Sequence, residues 1–181
     1  DVNDPPPQIG DYRDGGIVFY IASPPVDLDG DGDLDTGLVC AIQDYTNAIA
    51  WIIGGSTQTT ANGGTLASIG QGQTNTTAMM GQAGYTGGAA KVCNDYSITV
   101  NEITYSDWFL PSKDELDQMH TNKATINTTA AANSGSNFAN GYYWSSTEDG
   151  SINAWDQNFT SGTQGPYTKG ATSFVRAVRA F

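Results

Sequence analysis

The sequence predicts a single α+β domain, and three observations predict it. A chain of 181 residues has room for one domain with a sizeable core and too little for two. Short apolar, β-branched runs bounded by Gly, Pro and Asp recur from end to end, which is the pattern of largely buried strands. Helical spacing is confined to two or three short stretches. Composition agrees: 22 Gly and only 14% charged residues, against about a quarter in an average soluble protein, mark a loop-rich chain.

Residues 1–10 carry three consecutive prolines and no apolar periodicity, so they are expected to form an extended linker to something upstream, leaving 11–181 as the domain. The runs Ile17–Ala22 and Gly37–Ile42 are expected to pair as a hairpin. Further strands are expected at Ala50–Ile53, around Trp108 and Phe109, at Tyr142–Ser146, at Asn153–Phe159 and at Ser173–Phe181. Ser112 followed by Glu115 is a capping box, in which the hydroxyl accepts a first-turn N–H and the carboxylate returns to the N–H of the cap. It predicts a helix from Lys113 to about Thr121, with Asp114 and Glu115 at the positive end of its dipole. A second helix is expected from Gly88 to Tyr96 and a third over Thr76–Met80, while Ala124–Asn140 reads as an irregular surface excursion.

Charge excludes some functions. A net charge of -12 and a pI near 4.1 disfavour nucleic acid and anionic membranes and make cations the natural partners. No apolar run approaches the 18 or so residues of a membrane span, and a secretion signal is expected to have been removed or to lie outside these residues. The first 35 residues hold nine Asp and one Arg, so the acid is concentrated at the front.

Within that front, Asp27, Asp29, Asp31, Asp33 and Asp35 place a carboxylate at every second position. Hard oxygens at positions 1, 3 and 5 with Gly at 6 are what an EF-hand-type calcium loop requires, and Asp27, Asp29, Asp31 and Gly32 fit it. Asp33 would offer a backbone carbonyl, and Asp35 a direct or water-mediated oxygen. The bidentate Glu of position 12 is replaced by Leu38, which argues for a calcium-stiffened strand connection over a helix-loop-helix. Carboxylates about 5 Å apart repel by roughly 1 to 3 kcal/mol per pair, so the Ser23–Thr36 connection is either ordered by an ion or a solvated acidic loop.

Cys40 and Cys93 could close a disulfide or serve as two small core hydrophobes, and the residues alone leave both open. His120 is the only histidine, which excludes a multi-histidine metal centre. There is no GxSxG, strand-linked GxGxxG, P-loop or HExxH, so no catalytic residues are assigned. From Asn140 onward, rings alternate with Ser, Asn, Asp, Gln and Thr, a mixture suited to carbohydrate or protein recognition. Trp144 is expected in the core, and the residues from Ser151 to Lys169, Trp155 among them, form the candidate surface. Arg176 and Arg179 lie three apart and so point to opposite faces, with at least one expected to pair with an acid.

The segments GGIVFYI, GLVCAIQD, AAKVCNDY, DWFLPSKDELDQM, YYWSSTE, NAWDQNF and FVRAVRAF, in that order, resemble the bacterial family typified by the Lcl C-terminal domain, also known as the Fibrobacter major paralogous domain. The resemblance runs from Gly10 to Phe181. That family is similar to the C-type lectin fold of formylglycine-generating enzymes and of retroelement variable proteins, which implies paired terminal strands, two main helices and long loops. The enzymes use a cysteine pair late in the chain, which this sequence lacks after Cys93, so their activity does not carry over. The diversified positions of the variable proteins match Ser151, Asn153, Asp156, Gln157, Asn158, Thr160, Ser161, Gln164, Tyr167 and Lys169. The resemblance thus implies a noncatalytic, adhesin-like module of a larger secreted or cell-surface bacterial protein, binding a glycan or protein, without membrane insertion. A distant enzyme or a structural spacer is the alternative.

Overall fold

The computed structural model describes residues 5–54 and 65–181. The chain begins with β1 (Tyr12–Arg13), β2 (Gly16–Val26), β3 (Asp35–Cys40), β4 (Ile49–Ala50) and β5 (Ile53–Gly54). A mixed stretch follows: α1 (Gly72–Met80), β6 (Tyr85–Gly87), α2 (Ala89–Asn94), β7 (Ile98–Val100) and β8 (Ile103–Tyr105). Then come α3 (Lys113–Thr121), α4 (Lys123–Ala132), β9 (Tyr142–Asp149), β10 (Asn153–Asn158), β11 (Gln164–Thr168), β12 (Thr172–Ser173) and β13 (Val178–Ala180). Among the described residues no helix is long and apolar enough to cross a membrane.

The central sheet has the order β1-β2-β3-β13, so the first and last strands share one sheet but, contrary to the expected pairing of terminal strands, β2 and β3 lie between them and β13 pairs with β3. Its strands read as continuous apolar runs because both faces are covered. Ile17, Phe19, Leu38, Cys40, Val178 and Ala180 enter one core with Leu116, Met119, Ile126 and Ala130 of α3 and α4. Val18, Val39 and Ala41 enter another with Trp51, Trp108, Met79, Cys93 and Trp144. The register Ile17↔Cys40 and Val18↔Val39 keeps the two sets apart. Each aliphatic or Phe side chain fully buried this way contributes about 1.5 to 3 kcal/mol. Cys40 and Cys93 therefore lie in different cores, both thiols free, and burial pushes Cys40 up to about 12 and Cys93 higher still.

The capping box of α3 forms as expected and does more than cap. Glu115 accepts from Ser112 N at 2.7 Å, and its other oxygen accepts from Gly70 N and Gly72 N, which ties the start of α1 to the start of α3. Complete burial pushes the Glu115 carboxyl up to about 7 against those donors.

Several expectations are corrected. The stretch 124–140 is not irregular throughout: α4 forms because Ile126 and Ala130, one turn apart, pack into the core below β2, while Asn122, shared by both helix ends, donates to Phe19 O at 3.0 Å. The expected strand 173–181 breaks into β12 and β13, since Phe174–Ala177 changes partner midway. Phe174 N donates to Tyr142 O, whereas Val175 O and Ala177 O accept from Tyr45 N and Ala41 N. The run 50–53 divides between β4 and β5 as Trp51 turns into the core. Phe109 makes only an isolated bridge to Val178. β2 continues to Val26, so the acidic connection is shorter than the apolar pattern indicated. Both late arginines find acids, Arg176 with Asp44 and Arg179 with Asp107 in a two-point pair.

Candidate functional site

The C-terminal three-stranded sheet, order β11-β10-β9, presents two faces with different fates. Strand alternation sends Trp155, Gln157 and Gln164 toward α3. Lys113 Nζ sits 3.7 Å over the Trp155 ring, Gln157 donates to Asp117 at 2.7 Å, and Gln164 donates to Lys113 O at 3.0 Å. These contacts clamp the hairpin to the helix. The hairpin turn is closed by Asn158, whose side-chain oxygen accepts from Thr160 N and Ser161 N.

The pairs Ala154↔Tyr167 and Asp156↔Gly165 occupy the opposite face. There a cleft of about 640 Å³ opens between β11, the start of β9 and the β12 segment. Tyr142, Tyr167 and Phe174 supply its rings, Pro166 and Ala48 add apolar wall, and Thr163, Thr172, Ser173 and Asp156 supply its side-chain polar groups apart from the phenols. Tyr142 is 51% and Tyr167 47% exposed, so both rings stay available for contact, and the Tyr167 ring centroid lies 5.9 Å from that of buried Trp144. Asp156 lies deep, only 4% exposed. Desolvation pushes its carboxyl up to about 6, opposed only by the neighbouring Ser173 hydroxyl. That hydroxyl, also buried, reaches no partner within ordinary hydrogen-bond geometry.

The residues predicted for ligand contact therefore disperse, and only Asp156 and Tyr167 line the cleft. Lys169 is a correction: its side chain is fully buried, pairs with Glu148 and lies 4.8 Å from the Trp51 ring centroid, because the strand-end chain turns inward there. Gln157 is likewise buried, and Trp155 and Gln164 are committed to α3. Ser151 and Thr160 are exposed at the two hairpin turns and Asn153 is half-buried at the start of β10, all outside the cleft lining. Sequence reasoning missed Tyr142, Thr172, Ser173 and Phe174. The alternation of outward Tyr142 with buried Tyr143 in the YYW run was the signal for the first of them.

A second cluster stands at the β2–β3 turn. Asp27, Asp29 and Asp35 bring carboxylate oxygens within 4.8 Å of one another. Oxygens bound to one calcium at roughly 2.3 to 2.6 Å stand no further apart than about 5 Å, so this trio fits a shared ion. The backbone shapes the turn through the same side chains: Asp27 accepts from Gly30 N and Gly32 N, and Asp35 from Leu28 N, whose side chain is buried in the core. Asp31 turns to its own loop, accepting from Asp33 N, and with Asp33 lies outside the trio. Burial and then mutual repulsion hold Asp29 and Asp35 above the usual carboxylate range, partly offset by the backbone donors. An open groove separates Asp29 and Asp31 from Gln73, Thr74 and Thr77 of α1 and from Asp107.

The profile of the Lcl C-terminal domain matches residues 40–179. Among solved structures, a fimbrial protein from Bacteroides ovatus ATCC 8483 superposes over 100% of this chain with a TM-score of 0.59 at 17% identity. The match covers 46% of that protein's chain, so this chain spans about half its length. No curated protein matches the chain.

Proposed function

The chain belongs to the Lcl C-terminal domain family, and from that membership we propose that it is a noncatalytic, adhesin-like binding module of a larger secreted or cell-surface bacterial protein. Its ligand, a glycan or a protein, sits in the cleft between Tyr142 and Tyr167. The observation that carries this reading is the cleft itself: half-exposed rings over a single deep carboxylate, a lining built for contact and placement. The fold shared with a longer fimbrial protein supports a place within a surface assembly. The lining holds no histidine, cysteine or lysine to work with the carboxylate, and His120 is stacked edge-on against Phe159 elsewhere, which favours binding over turnover. A structural calcium on Asp27, Asp29 and Asp35 belongs to the same reading, as a stiffener of the β2–β3 turn rather than a contact with ligand.

Screening the protein against glycan arrays and surface-protein extracts tests it. Tyr167→Ala, at a half-exposed ring, should lower affinity for a retained ligand by about tenfold while leaving the fold intact. A ligand whose affinity ignores both Tyr167→Ala and Tyr142→Ala, or one that is chemically converted, contradicts the reading.

A further inference from the structure

We propose that the cleft receives a cationic side chain, a lysine or arginine of a partner protein, with its charged head on Asp156 and its methylene stem along Tyr142 and Tyr167. This rests on the reading of the cleft as the ligand site.

Asp156 is a carboxylate the protein has left without a cation. Five of the seven basic residues sit in ion pairs with other carboxylates. The remaining two are turned away, Lys113 over Trp155 and Lys123 donating to Phe159 O. A buried carboxylate is satisfied by charge and hydrogen bonds together, and here the protein supplies no cation and only the neighbouring Ser173 hydroxyl as a hydrogen-bonding side chain. The countercharge is left to the ligand.

The surroundings choose the kind of cation. A charge-assisted hydrogen bond is about twice as strong as a neutral one, so an ammonium or guanidinium outcompetes a sugar hydroxyl at this position. The ring faces of Tyr142, Tyr167 and Phe174 add attraction for a cation passing between them. Depth selects a head carried on an apolar stem, because Asp156 is nearly covered and the walls above it are mostly apolar. An amino sugar could use the Thr163, Thr172 and Ser173 hydroxyls, but it has no apolar stem to lie along the rings. The net charge of -12 draws such cations toward the surface from a distance.

The pairing is pH-dependent. The titratable groups facing Asp156 in the cleft are the phenols of Tyr142 on β9 and Tyr167 on β11, while β12 and Ala48 contribute none. Because Asp156 titrates near 6, protonation at pH 5 removes most of its charge.

The test is an amide NMR titration of the whole chain at pH 7.5 with Nα-acetyl-lysine amide, Nα-acetyl-arginine amide, the neutral Nα,Nε-diacetyl-lysine amide, and glucosamine. The cationic amino-acid probes are expected to shift the Gly165 and Ser173 amides saturably. Binding should weaken about tenfold for the diacetyl probe, for Asp156→Asn, and on moving to pH 5. The Asp156→Asn variant keeps the side-chain shape, and the same spectra report that it is folded. Equal binding of the neutral probe, undiminished binding by Asp156→Asn, tighter Asp156-dependent binding of glucosamine, or no saturable shift by any probe overturns the proposal. A ligand from the screens that is lost with Tyr167→Ala yet kept with Asp156→Asn overturns the cation alone and leaves the cleft as the binding site.

Discussion

Two charged residues of the C-terminal third meet opposite fates, and each sets a prediction. Lys169 is buried against Glu148, which is itself only 3% exposed, so removing the lysine strands a carboxylate in the interior. Lys169→Met should cost about 3 to 5 kcal/mol, roughly 10 °C in Tm, and a second change of Glu148→Leu should recover much of it. Thermal melts of the single and double variants check this; no rescue by the double change would contradict it. Asp156 has a folded pKa of about 6 against 3.8 for the free group, so folding disfavours its ionised form. Its stabilising contribution is present below about pH 3.8 and lost as pH rises through 6. Allowing for partial solvation, Asp156→Asn should raise stability by about 1 to 2 kcal/mol at pH 7.5 and change nothing near pH 3.5. Denaturant titrations at the two pH values measure it. Both residues were singled out from the sequence, but spacing alone could not separate them. Lys169 lies just beyond β11, and Glu148, the Ser151 carbonyl and the Trp51 ring together account for its burial.

Among elements, the acidic turn was the most legible. Alternating Asp residues and the glycines marked an acidic turn, and three of the five carboxylates converge. Of the two outside the trio, Asp31 turns its side chain to the loop's own Asp33 N–H, and Asp33 sits at the exposed tip. Asp29 and Asp35, held protonated more readily than usual, lose their favourable contribution as pH rises through their raised values. In the proposed role, a bound calcium would reverse that penalty where they are ionised. At a free concentration 100-fold above its Kd it should add about 2 to 3 kcal/mol, roughly 5 to 10 °C in Tm, at pH 7.5. The gain should shrink as the pH is lowered into the acid range and be lost with Asp29→Asn or Asp35→Asn. Melting curves that coincide with and without chelator at pH 7.5 would remove the ion from the account. Helix α3 was equally plain, its capping box falling where Ser112 and Glu115 put it. By contrast α4 was hidden: its Ala, Thr and Asn composition has weak amphipathicity, and the burial of Ile126 and Ala130 against β2 decides it.

At the scale of the whole molecule, a sheet buried on both faces leaves the open cleft to the smaller β9–β11 sheet, which packs one face on α3 and opens the other. The α+β class could be read from runs such as IVFYIA and GLVCAI, since unbroken apolar strands require cover on both sides. The cleft could not be read in the same way. Its walls come from β9, β11 and the 172–174 segment, distant in sequence and joined only by the partner change at Phe174. The central claim is that ligand binds in this cleft. Its most direct test is the map of amide shifts produced by a ligand retained from the screens. The account predicts that the largest shifts fall on Tyr142, Asp156, Gly165, Tyr167 and Ser173, with the β2–β3 turn undisturbed; shifts centred on that turn or on the α1 groove, with the cleft silent, would contradict it.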